Sequence, residues 1–147
     1  MPNSIPTVEG TVYQALRRSA ATYEHNDFLC IESQAAERYA IQARSYSYGQ
    51  AATEVDFLKS VYAAAGLGHG HRAGLMLENR PMFFFHWLAL NALGVSVVPI
   101  NPEWRRAELE YLLDHSEACV AVVPPARAEC QTERSADEAQ PHDRCAG

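Results

Sequence analysis

Between Arg72 and Val123 short apolar runs alternate with helical segments, and this alternation constrains the fold more than any other feature. Ala73-Gly74-Leu75-Met76-Leu77 is a β-type run bounded by Glu78-Asn79-Arg80-Pro81. A long apolar segment from Met82 to Leu93 follows and stops at Gly94. Val95 to Ile100 is a second β-type run, closed by a turn at Asn101-Pro102. A charged amphipathic segment then leads through His115-Ser116 to a third run, Cys119 to Val123, ending at Pro124-Pro125. Alternating strands and crossover helices are the pattern of a parallel sheet, so the stretch reads as β-α-β-α-β.

The run from Met82 to Ile100 admits a second reading, because its length approaches that of a membrane span. Gly94 and the β-branched Val95, Val97 and Val98 divide it into a helix and a strand instead. His86 and Asn91 would also lie deep in hydrocarbon, each at a cost. Burial between a sheet and another layer explains a helix that is apolar all round. The buried helix is the reading favoured here.

Composition sets the outer bounds. A chain of 147 residues, 48% hydrophobic and 20% charged, is long enough for one domain with a real core. A formal net charge of -6 gives no electrostatic footprint for nucleic acid or anionic membrane, so neither is expected as a partner. The N-terminus through Pro6 carries neither a basic region nor an apolar one, and a cytoplasmic location is the default. Cys30, Cys119, Cys130 and Cys145 form no CxxC pair. His142 with Cys145, and His69 with His71, lack the further ligands a zinc site needs. No metal site is expected.

Ahead of the core, Thr11 is placed to cap a first helix bearing Tyr13, Leu16 and Ala20 at helical spacing. Phe28 to Ile31 reads as a strand. Tyr39-Ala40-Ile41 and Ser45-Tyr46 suggest a further strand pair, with Glu32 to Arg38 as a polar turn. Ser47 followed three residues later by Gln50 is a capping box. The helix it opens presents Ala51, Val55, Leu58, Tyr62 and Ala65 on one face, and Gly66 suits its C′ position. The loop Gly66-Leu67-Gly68-His69-Gly70-His71 follows a helix and precedes a strand, the reverse of a phosphate cradle. In the last helix Leu109, Leu112, Leu113 and Ser116 mark an expected buried stripe, with Arg105, Arg106, Glu108, Glu110 and Asp114 outside. After Pro125 the chain has no aromatic or branched aliphatic residue, and residues 126–147 are expected to be disordered.

Three blocks in uninterrupted order resemble the N-terminal portion of the adenylate-forming (AMP-binding) enzymes, especially acyl-CoA synthetases and ligases. Ser45 to Ala51 resembles the first core signature of that family. Gly70 to Pro81 resembles its G-D-R-V…N-x-P strand and loop. Leu88 to Pro102, followed by Glu108-Leu109 and Tyr111-Leu112, resembles its second core signature. His71 stands where the family usually has aspartate, and Ala73 where it usually has a branched aliphatic residue. From about Ala126 the resemblance stops, as in a truncated or frame-altered product.

The resemblance implies an α/β fold: a partial Rossmann-like parallel-sheet subdomain with an N-terminal helix and strands and a disordered C-terminal tail. The organisation expected is an N-terminal extension over 1–10, an incomplete AMP-binding subdomain over 11–125, and the tail. It also implies a parent reaction in which a carboxylate attacks the α-phosphate of Mg·ATP and CoA then displaces AMP. The Ser/Thr/Gly-rich ATP loop and the C-terminal lid of that family have no counterpart here. The chain is therefore expected to be inactive alone, with no catalytic residue and no cofactor of its own. ATP, magnesium, CoA and a fatty or aryl carboxylic acid belong to the full-length parent.

In some CoA-using relatives a basic residue just after the matched proline approaches the CoA nucleotide. That place is Glu103 here, so Arg105 and Arg106 are the nearest CoA candidates, against a bland reading as surface charge. Asn79 and Pro81 are explained as a helix cap with proline in the first turn. An incomplete subdomain should also expose an apolar face and self-associate through it. The alternative is a stand-alone α/β binding or interaction module derived from the same fold, and a membrane-anchored protein is a third reading.

Overall fold

The computed structural model describes residues 10–124, and the expected tail over 126–147, like residues 1–9 of the expected extension, lies outside them. The core is the expected β-α-β-α-β unit. Strand β3 (Arg72–Leu75) lies at the centre of a parallel sheet of order β4-β3-β5, flanked by β4 (Ser96–Pro99) and β5 (Val120–Val122). Arg72 pairs with Ser96 and Leu75 with Pro99 on one side, while Ala73 pairs with Val120 and Leu75 with Val122 on the other. Pro99 has no N–H for a ladder, and it sits in an edge strand, where that loss is tolerated.

Helix α4 (Pro81–Ala92) connects β3 to β4, and α5 (Arg106–Ser116) connects β4 to β5. The first connection moves one way from β3 and the second moves back past it. Right-handed crossovers therefore put the two helices on opposite faces of the sheet. Helix α4 packs on β3 and β4 and, on its other side, on α1 (Val12–Thr22) and α3 (Tyr48–Ala64). This is the buried helix between two layers. Phe85, Ala89 and Leu90 are fully buried, and they join Ala73, Leu75, Val55 and Ala51 in one core cluster. Among the described residues no helix is long and apolar enough to cross a membrane.

Local signals account for most element ends. Thr11 and Gln14 form a capping box at α1, and Ser47 and Gln50 form the expected one at α3. Gly66 (φ +81°) and Gly94 (φ +73°) close α3 and α4 in the left-handed conformation. In both cases the next residue donates its N–H back across the last turn, Leu67 to Tyr62 O and Val95 to Leu90 O, each at 3.0 Å.

Four expectations need correction. The stretch Glu32 to Arg38 is not a turn, because Ser33–Arg38 forms a short helix, α2. Tyr39-Ala40-Ile41 is not a strand: the Ala40 N–H bonds to Glu37 O at 3.2 Å and the Ile41 N–H to Ala36 O at 3.0 Å. Those donors close α2, so they are lost to a ladder. Strand β2 (Arg44–Ser47) pairs instead with β1 (Asp27–Ile31), antiparallel. Asn79 does not cap α4, because Arg80 occupies the N-cap position without a side-chain bond and Pro81 begins the helix. The α5 stripe is only half buried: Leu109, Leu112 and Ser116 are partly covered and Leu113 is exposed, as is Ala65 on α3.

Two polar ties cross the helical layer. The Tyr13 hydroxyl and the Arg17 guanidinium both donate to the Asp56 carboxylate, at 2.6 and 2.8 Å, joining α1 to α3. Deeper in, Tyr62 Oη lies 2.5 Å from His86 Nδ1, joining α3 to α4. Burial pushes the Tyr62 phenol up to about 12 and lowers His86. The phenol is therefore protonated and the imidazole neutral at neutral pH, and one hydrogen bond joins them.

Candidate functional site

The loops after β3 and β4 leave the sheet toward opposite faces, which makes the carboxyl ends of these two neighbouring strands a topological switch point. Open α/β sheets bind ligands in the crevice at such a point. A cleft of about 790 Å³ opens there. One wall is the post-β3 loop, Glu78, Asn79 and Arg80; the other is the post-β4 loop, Asn101 to Trp104. Leu75, Pro99 and Ile100 form the floor, with Phe83 from α4, and Arg38 and Tyr39 at the end of α2 close one end.

The sequence folds this way for identifiable reasons. Pro81 fixes the start of α4 and so ends the first loop. The Asn101 side chain accepts from the Glu103 N–H at 3.0 Å, an Asx turn that shapes the second loop. Gly74 lets Ile100 lie against β3, since a Cβ there would sit 2.7 Å from Ile100 Cδ1. Glu78 adopts φ +55°, a conformation non-glycine residues rarely hold. Its carboxylate accepts from Arg80 Nε at 3.1 Å, an ion pair whose side chains are only 33% and 30% exposed. Arg80 and Arg38 both lie over the ring of Tyr39, at 5.7 and 5.8 Å from its centroid.

Arg105 and Arg106 stand at the start of α5, directly after the cleft loop, and both are exposed. They are not among the residues that line the cleft, which ends at Trp104. The Arg105 N–H donates to the Glu108 carboxylate at 2.7 Å, and Arg106 Nε donates to Glu110 at 2.5 Å. Arg38, Tyr39, Glu78, Arg80 and Trp104 are the cleft residues that the sequence reading did not single out. The signal for the walls was present in the Asn79-Pro81 and Asn101-Pro102 turns. Arg38 and Tyr39 carry none, because in sequence their segment resembles a turn and a strand. Among the described residues no three His, Cys, Asp or Glu side chains converge as a metal site.

The family model described as AMP-binding enzyme matches residues 18–146. The chain belongs to the AMP-binding enzyme family. The match runs past Pro125, where the resemblance in the sequence blocks ended. Crotonobetaine/carnitine–CoA ligase of Shigella flexneri serotype 5b (strain 8401) is 32% identical over 103 residues, covering 70% of this chain and 19% of that protein. The ligase of the same name from Escherichia coli O17:K52:H18 is 31% identical over the same length. This AMP-binding chain thus spans about a fifth of the length of the curated relatives it matches.

Solved structures agree on the fold. The inhibitor-bound N-terminal domain of FACL13 from Mycobacterium tuberculosis superposes with a TM-score of 0.71 at 22% identity, covering 88% of this chain and 30% of that one. The Klebsiella oxytoca NpsA N-terminal subdomain gives 0.65 at 18% identity, covering 77% of this chain and 27% of that one. The α/β architecture with its parallel sheet is that of the N-terminal domains of adenylate-forming enzymes.

Proposed function

We propose that this chain supplies the N-terminal part of an ATP-dependent acyl-CoA ligase and does not catalyse the reaction by itself. The observation that carries the reading is the cleft at the β3/β4 switch point, in a chain whose curated relatives are CoA ligases. In the parent reaction a carboxylate oxygen attacks the α-phosphorus of ATP, the bond to pyrophosphate breaks, and the CoA sulfur then displaces AMP from the acyl carbon. Developing charge on the transferring group needs oriented donors and cations. The described residues hold neither a Ser/Thr/Gly-rich cradle nor a metal-ligand set. Magnesium in that reaction arrives on the ATP phosphates.

In this reading the loop from Asn101 to Trp104 faces the thiol cofactor, and Arg105 and Arg106 contact the phosphates of CoA from the start of α5. The acid is a fatty or aryl carboxylate, or one like those named for the curated relatives. A cytoplasmic location fits this reading, and Tyr111 and Leu113, exposed on α5, are the surface through which the isolated chain would self-associate. ATP–pyrophosphate exchange and CoA titration on the 147-residue chain test the proposal. No exchange is expected, and CoA binding should weaken about tenfold when both arginines become alanine. Measurable exchange would overturn the inactivity, and unchanged CoA affinity would remove the two arginines from the site.

A further inference from the structure

The cleft carries four charged side chains, Arg38, Arg80, Glu78 and Glu103, and they are not evenly satisfied. Glu78 engages Arg80 through Nε alone, leaving the terminal nitrogens of that guanidinium for another acceptor. Arg38 is in none of the ion pairs formed among the described residues. Its guanidinium lies over the same tyrosine ring as Arg80. One aromatic ring thus holds two cations at one end of the cleft, and the Glu78 carboxylate pairs with only one of them, Arg80. The second carboxylate, Glu103, is exposed and belongs to the opposite wall.

Stacking on a ring fixes the plane of a guanidinium while leaving its edge donors free. Two such forks on one ring, Arg80 partly buried and Arg38 exposed, suit an acceptor with several oxygens and two negative charges. The flat faces of Phe83 and Trp104 line the same cleft, which is far larger than one phosphate needs. We infer that Arg38 and Arg80, organised by Tyr39, form a phosphate subsite that holds a free or esterified phosphate group in the cleft. This goes beyond the ligase reading and involves neither Arg105 nor Arg106. The Glu78 carboxylate competes with the incoming anion for Arg80, so it sets the affinity.

Calorimetric titration of the 147-residue chain at low ionic strength tests the subsite, with inorganic pyrophosphate, AMP, adenosine and acetate as probes. Pyrophosphate should bind and acetate should not. AMP binding tighter than pyrophosphate, with adenosine silent, would identify the source as a nucleotide phosphate; the reverse order would identify free phosphate. Arg38→Gln should weaken pyrophosphate about tenfold, Arg38→Lys should weaken it less, and Glu78→Gln should strengthen it. Far-UV circular dichroism checks each variant, and Glu78→Gln decides by its opposite sign if Arg38→Gln does not fold. Absence of pyrophosphate binding, acetate binding of equal strength, or an Arg38→Gln variant with unchanged affinity overturns the inference. CoA binding that depends on Arg105 and Arg106 while pyrophosphate fails would leave the ligase reading standing without this subsite.

Discussion

The contact between Tyr62 and His86 can be removed with little change in volume, by Tyr62→Phe. Tyr62 is 8% exposed and its hydroxyl lies in hydrogen-bond contact with the imidazole 2.5 Å away. Phenylalanine keeps the ring in the core and deletes only the hydroxyl. A neutral hydrogen bond contributes about 1 kcal/mol net, and the half-buried Nδ1 left without its partner adds to the loss. The expected destabilisation is about 1–2 kcal/mol, which moves a urea midpoint by roughly 0.5–1 M for a domain of this size. Urea titration followed by Trp87 and Trp104 fluorescence measures it. The pH dependence follows from the same pair. His86 titrates below its usual value when folded, so between its folded and unfolded values the unfolded chain binds more protons. Its contribution is complete above about pH 6.5 and is lost as pH falls through the lowered folded value. Tyr62 is raised to about 12, so its contribution is complete below about pH 10 and is lost as pH rises toward that value. His86→Gln should abolish the acid slope and Tyr62→Phe the alkaline one. A Tyr62→Phe midpoint equal to wild type, or stability that rises from pH 6.5 to 5.5, would refute the reasoning.

Other substitutions probe the remaining layers. Phe85 is fully buried and meets the Tyr46 ring edge-on at 5.0 Å, so Phe85→Ala should cost about 3–5 kcal/mol and leave most of the chain unfolded by circular dichroism. Ser47→Ala removes one arm of the α3 capping box and should lower the urea stability by about 1 kcal/mol; a double-mutant cycle with Gln50→Ala should show the two effects to be coupled. Glu78→Gly removes a strained left-handed residue together with its ion pair. Its stability should stay within about 1 kcal/mol of wild type by thermal melting, because the two effects oppose one another.

The elements legible in the sequence are those whose signals are local. Gly66 and Gly94 marked helix ends because the reverse turn there needs a left-handed residue, and Ser47 with Gln50 marked a start because the cap is closed within four residues. Ala40 closes α2 with the same left-handed turn as the glycines, at φ +51°. An alanine gives no such signal, so in sequence α2 resembles a turn and the chain beyond it a strand. The cleft was legible only in part for a related reason. Its walls are loops adjacent in sequence to β3 and β4, whereas Arg38 reaches it from α2 through the fold. Nothing near Arg38 in sequence announces that Arg80 will share its tyrosine.

The half-buried α5 stripe follows from the sheet and not from a failure of helical periodicity. Leu109, Leu112 and Ser116 recur at the spacing of a buried face, and the helix they lie on forms over Arg106–Ser116. Periodicity states which side of a helix turns inward; how much is buried depends on what else lies there. Helix α4 has the sheet on one side and α1 and α3 on the other, so its residues reach full burial. Helix α5 has no comparable second layer among the described residues, and Tyr111 stays 69% exposed. Apolar groups left in this way forfeit about 25 cal/mol per Å² of uncovered area. Tyr111→Ser with Leu113→Ser should therefore reduce hydrophobic-dye binding and self-association while leaving the unfolding free energy in urea within about 0.5 kcal/mol of wild type. Dye binding unchanged by that pair would place the uncovered surface elsewhere, on the Phe57 and Val61 side of α3, which is 62% and 46% exposed at those residues.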